Sequence, residues 1–186
     1  MDTLVGPAST SNLVALRKLY FQRFAFAAVW AFALFTSADT INPVSATLLV
    51  IYPLFDVVAA AVDLRSAAAD GKAVPALYAN IVISSLAVIG VAVAAASDVP
   101  AVLRVWGVWA IASGLVQLFA GAMRRRLGGQ WPMIISGTIS TAAGASFIAR
   151  AGSDDPTLQN LAGYAFLGGV FFLVSALRLN RVRPGA

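Results

Sequence analysis

The chain contains no cysteine, no histidine and no glutamate. The lack of cysteine excludes disulfides, thiol nucleophiles and haem attachment through sulfur, and it removes any trace of the redox compartment. The lack of histidine removes the usual proton shuttle near neutral pH, and with glutamate also missing the common metal ligands are gone. Charge is scarce as well, at 11% of 186 residues. Both lysines, Lys18 and Lys72, stand outside the long apolar runs. A retinal-type Schiff base within a span is therefore excluded, and the scattered serines and threonines have no His, Lys or Cys beside them to activate them. No catalytic constellation, metal set or cofactor is expected.

What the chain has in abundance is apolar length. Hydrophobic residues make up 60% of it, and the mean hydropathy is +0.83. Runs of about twenty residues, enough to cross a hydrocarbon core of ~30 Å as helix, recur near 20–38, 43–63, 76–97, 102–123, 131–150 and 158–178. They are continuous and rich in Ala, Leu, Val and Gly, without the alternation of a membrane barrel. The pattern predicts an all-α, polytopic membrane protein of six transmembrane helices.

The basic residues cluster at alternate ends of these runs. Arg17, Lys18, Arg23, Arg65, Lys72, Arg124, Arg125, Arg126, Arg178, Arg181 and Arg183 fall on one side of a six-span chain, and only Arg104 and Arg150 on the other. The positive-inside rule then predicts an inner-membrane protein with both termini cytoplasmic. The pI near 10.2 is accordingly a signal for anionic head groups at the cytoplasmic face and not for nucleic acid. Residues 1–19 read as an N-terminal segment with a short interfacial helix. Ser11 or Asn12 would cap it, Leu13, Leu16 and Tyr20 would share one face, and Arg17 and Lys18 would reach lipid phosphates. Residues 1–10 read as loose and 182–186 as a tail. The basic stretch RKLYFQRF before an apolar run ending in TSA resembles a signal peptide, but the repeat requires this helix as a partner, so it is expected to stay.

Three turns, SADTINP, SDVP and SDDP, each carry an acid followed by a proline, and each opens an even-numbered span. They predict three repeated antiparallel hairpins at about 20–65, 76–126 and 131–181, in parallel orientation about an axis along the membrane normal. Asp39, Asp98 and the pair Asp154 and Asp155 are expected at or near helix N-caps, with proline in the first turn. Small residues at helical spacing predict close helix packing: Ser136, Gly137, Ser140 and Gly144 in the fifth span, Gly114 and Gly121 in the fourth, Gly168 and Gly169 in the sixth.

The stretch RVWGVWAIASGLVQLFAGAMRRR with WPMIISGTISTAAGASFIA resembles the HdeD-like membrane proteins, bacterial six-helix proteins built from a short repeated hairpin and associated with acid resistance. The similarity in pattern covers roughly residues 20–181 and is carried by Trp106, Gly107, Gly114, Trp131, Gly137 and Gly144. The first hairpin departs from it, with Pro53 where Gly114 and Gly169 stand in the later two. The resemblance implies a role in envelope or acid stress and brings no catalytic or transport residue with it.

One residue stands out against this background: Asp56, set within the apolar run IYPLFDVVAAAV. A charged Asp at mid-membrane costs about 2.5–3.5 kcal/mol on insertion scales, against a return of roughly 0.3–0.6 for each Val, Leu, Ile or Phe. Its span has ten such residues between Val44 and Val62, so insertion tolerates the acid. Aligning the even spans on their terminal arginines sets Asp56 level with Gln117 and Phe172. Two readings stay open. Asp56 is either a protonatable site, neutral and bonded to Gln117 or Asn80, or structural glue, as a hydrogen bond to Gln117 or an ion pair with Arg23. The expected function is correspondingly a structural or interaction role in stress, with a homo-oligomer or a membrane-protein partner, and the alternative is a small proton-coupled transporter or channel using Asp56.

Overall fold

A computed structural model describes residues 7–37, 40–69, 75–123 and 131–181. Among the described residues the chain is all-helical: α1 (Pro7–Ser37), α2 (Pro43–Ala69), α3 (Pro75–Ala95), α4 (Val99–Met123), α5 (Trp131–Arg150) and α6 (Gln159–Arg181). Each contains a stretch long and apolar enough to cross a membrane, from the 20 residues of Trp131–Arg150 to the 25 of Val99–Met123. Their outward faces suit lipid. Along α3, for example, Tyr78, Val82, Leu86, Ile89 and Val93 are all exposed, while Ser84, Ala87, Val91 and Ala94 turn inward.

The N-terminal segment differs from expectation. Pro7 to Ser37 is a single helix of 31 residues, so Ser11 and Asn12 lie inside a helix and not at its cap. Proline at the first helical position fits this start, since it lacks an N–H that would be unpaired there anyway. Two of the three far turns cap their helices with residues other than the predicted acids. At α2 the cap is Asn42, whose Oδ1 accepts the backbone N–H groups of Val44 and Ser45 at 2.9 and 3.0 Å. The buried Ser45 hydroxyl returns the favour by accepting the Asn42 N–H at 2.9 Å. Asp39 and Asp70, Lys72, Arg124, Arg125 and Arg126, and Arg183 lie outside the described residues. Asp98 caps α4 as expected, accepting the Ala101 N–H at 2.7 Å. Asp154 and Asp155 do not cap α6: they are exposed in the turn several residues ahead of it, and the hydroxyl that accepts the Gln159 N–H belongs to Thr157, at 3.2 Å.

Consecutive helices run antiparallel, and the bundle closes on itself because α6 packs against α1. The close pairs are α2 with α3, α4 with α5 and α6 with α1, while the two helices inside each predicted hairpin touch less. Tightest of all is α4 against α5. A Cβ built on Gly107 would stand 2.6 Å from the Gly144 carbonyl, and one on Gly114 would stand 2.7 Å from the Gly137 carbonyl. Backbone thus lies directly on backbone, in the manner that small residues permit where lipid supplies no hydrophobic driving force. Gly121 meets Ile134 across the same seam, and Gly169 meets Ala27 and Phe24 of α1. One residue grouped with these by sequence does not make such a contact. A Cβ on Gly168 meets nothing within 4 Å, because one residue's rotation turns it away from α1. Ser136 is half-buried on α5. Ser140 packs differently again: it accepts a hydrogen bond at 3.0 Å from Tyr164 of α6.

The half of the bundle farther from the termini is filled. Trp30, Leu34, Leu49, Val91, Leu103, Trp106, Phe147, Leu158 and Leu161 form one core contributed by all six helices. Trp106, fully buried, has ring centroids of Trp30, Tyr52 and Trp109 at 5.6, 5.4 and 4.9 Å. Offset and edge-on aromatic pairs of this kind contribute about 0.5–1.5 kcal/mol each beyond simple contact. The Trp30 indole also donates to the Leu48 carbonyl at 2.6 Å, beside the turn where buried Pro53 leaves the α2 ladder short of a donor.

Candidate functional site

The half of the bundle nearer the termini is built differently. Each helix presents an inward stripe, and on α1 that stripe is Leu19, Arg23, Ala27, Trp30 and Leu34. Arg23 therefore projects into the bundle. On α2 the inward stripe runs Ser45, Leu49, Pro53, Asp56 and Ala60, opposite the exposed Ile51, Leu54, Val58 and Val62. Asp56 stands nine residues before Arg65, the end of its span, or about 14 Å deep at 1.5 Å per residue.

These two charges meet. Arg23 Nη1 lies 3.5 Å from Asp56 Oδ1, with the side chains 11% and 23% exposed. The other carboxylate oxygen, Oδ2, accepts hydrogen bonds from the Asn80 amide at 2.7 Å and the Ser84 hydroxyl at 2.9 Å, both from α3. Asn80 and Ser84 are one helical turn apart, which aligns them on one face. Ser84 has a second bond, accepting the Trp109 indole N–H from α4 at 3.1 Å. Its single proton is thereby directed to Asp56 while its lone pair is engaged by Trp109. Every neighbour offers the carboxyl group a donor, the arrangement that suits an ionised carboxylate. The chain Arg23, Asp56, Asn80 with Ser84, and Trp109 ties four helices together.

Two residues of α6 and α1 cover the arginine. The Phe172 ring lies with its centroid 4.8 Å from Arg23 Cζ, a cation–π distance, and Tyr20 sits against Phe172 at 5.8 Å between centroids. Asp63, seven residues beyond Asp56 on the same face of α2, lies within electrostatic reach of Arg23. Among the described residues, the buried atoms without a hydrogen-bond partner are Arg23 Nε, Ser113 Oγ and Trp106 Nε1. Two of these belong to residues that form or adjoin the network: Arg23 itself, and Ser113 one turn beyond Trp109.

Of the residues singled out by sequence, the structure brings Asp56, Arg23 and Asn80 together. Gln117 is not joined to them: it is half-buried on α4, and among the described residues it makes no hydrogen bond to Asp56. The α4 residue that reaches the Asp56 network is Trp109, through Ser84, and Gln117 lies about two helical turns farther along α4. Alignment on the terminal arginines therefore does not set Gln117 and Asp56 side by side. Ser84 and Trp109 went unrecognised because serine and tryptophan are unremarkable in a span. The spacing of Ser84 from Asn80 was the available signal. Asp63 was hidden by its place next to the basic stop at Arg65.

The described residues contain no cluster of three or more potential metal-ligating acids. What the site can do chemically is hold a buried charge pair, exchange a proton at a carboxylate, or lock helices. No protein-family model matches the chain, and no curated protein or solved structure matches it either.

Proposed function

We propose that the chain is an integral inner-membrane protein with a structural or interaction role in envelope and acid stress, carrying out no catalysis, with both termini in the cytoplasm. The observation that supports this reading most is the network around Asp56: its carboxylate is met by donors from α1 and α3, and the chain of contacts continues into α4. A charge pair so braced spends its polar atoms on holding helices. The aromatic core beyond it occupies the path that a solute crossing the bundle would need. The stress assignment rests on the resemblance of the fourth and fifth spans to the HdeD-like proteins, and the orientation on the eleven cations against two.

Orientation is tested with a reporter active only in the periplasm, fused after Ala186. It is expected to be silent, and activity there would overturn the six-span topology. The stress role is tested by removing the protein from its cell and measuring survival after exposure to low pH. Reduced survival, restored by the wild-type chain, is the expected result, and unchanged survival would overturn the stress role.

A second reading is favoured by one observation. Asp56 keeps 23% exposure although it lies on the inward stripe of α2. A proton reaching that carboxylate from the side of the termini would make the protein a proton-coupled transporter. In proteoliposomes, pH-driven flux that Asp56→Asn abolishes would establish this reading and displace the first.

A further inference from the structure

The outward face of α1, opposite Arg23, carries a second group of residues. Val14, Arg17, Lys18, Phe21, Gln22 and Ala25 line a shallow concavity of about 490 Å³. They recur at intervals of three and four and so occupy one helix face. The membrane span of α1 begins at Arg17, which puts the two cations at the level of lipid head groups and the residues after them at the level of the acyl chains. Phe21 is 39% exposed, and farther along the same face Val29 and Phe32 are 70% and 73% exposed. Between these bulky residues stands exposed Ala25, which leaves a notch in an otherwise full apolar surface.

From this arrangement we infer that the face binds a single anionic phospholipid. The phosphate sits at exposed Lys18, whose charge complements it at the start of the span. The amide of Gln22, one turn deeper, donates to the ester region just below the phosphate. One acyl chain lies over Ala25, with Phe21 on one side and Val29 and Phe32 on the other. Both halves of the surface are needed: cations alone would attract any anionic lipid diffusely, and the notch is what selects one position along the helix. A basic residue near an anionic membrane surface contributes enough to change lipid occupancy roughly five-fold.

The test uses the full chain purified in detergent with phosphatidylglycerol and phosphatidylcholine as probes, and bound lipid counted by native mass spectrometry. Lys18→Ala and Ala25→Phe are each expected to lower retained phosphatidylglycerol about five-fold, while Arg178→Ala, an exposed cation at the same end of α6, leaves it unchanged. Gln22→Leu replaces Ala25→Phe if the latter does not fold. Equal losses from Lys18→Ala and Arg178→Ala would reduce the site to a diffuse basic rim. Retention unaffected by filling the notch, or phosphatidylcholine held as well as phosphatidylglycerol, would also overturn the assignment.

Discussion

Replacing Gly114 with alanine is expected to prevent the chain from folding to its native bundle, or to destabilise it by about 3 kcal/mol or more, whereas Gly168→Ala leaves stability unchanged or slightly raised. Both are glycine-to-alanine changes within apolar helices, so propensity favours each equally. The difference is what the new methyl group meets. At Gly114 it would stand 2.6 Å from Thr141 Oγ1, 2.7 Å from the Gly137 carbonyl and 2.8 Å from the Thr141 amide nitrogen. Two of those atoms are backbone and cannot rotate away, so α4 and α5 would have to separate along their whole seam. Overpacking usually costs about 1–3 kcal/mol and exceeds that where the obstruction is rigid. At Gly168 there is open space. Denaturation in detergent, followed by circular dichroism, separates the two variants. Equal tolerance of alanine at both positions would mean that the α4–α5 seam is not closed as described.

Asp56→Leu is the second large expected effect, at about 3 kcal/mol of lost stability. The methyl groups of leucine are at home in the span, so the loss does not come from the residue introduced. It comes from those left behind: Arg23, 11% exposed, keeps its charge without its counter-ion, and Asn80 and Ser84 lose their acceptor. Removing one partner of a buried pair typically costs about 3–5 kcal/mol, and the partial exposure of Asp56 places this pair at the lower edge. The same reasoning predicts that Arg23→Met recovers most of the loss when combined with Asp56→Leu, since an apolar pair of similar size leaves no stranded charge. A double-mutant cycle on the two positions should therefore give a coupling above about 1.5 kcal/mol. Coupling near zero would reject the ion pair and leave Asp56 as an acid held by α3 alone. Asp56→Asn is expected to fall between, because an amide still accepts from Asn80 and Ser84 but cannot neutralise Arg23.

The sequence by itself determined the class and the segmentation. Six apolar runs became six helices because a chain in hydrocarbon must satisfy every backbone polar group internally, and a run of about twenty apolar residues leaves helix as its solution. The prediction that Gly114, Gly121, Gly137, Gly144 and Gly169 make close helix contacts was legible too, as was the singular position of Asp56. These features are local: length, composition and spacing along one helix suffice to read them. Which helix each residue faces was not local. Asp56 takes its partners from α1 and α3, and the α4 residue that reaches its network is Trp109 and not Gln117, while Arg23 and Asp56 meet because α1 and α2 turn their inward stripes to the same interior. The same limit misplaced Gly168, one residue from a true contact at Gly169, and it hid Ser84 and Trp109, whose role exists only once α3 and α4 stand side by side. Rotation about a helix axis by one residue, about 100°, changes a neighbour from lipid to protein, and that angle is fixed by packing against the other helices and not by the apolar run that makes the helix.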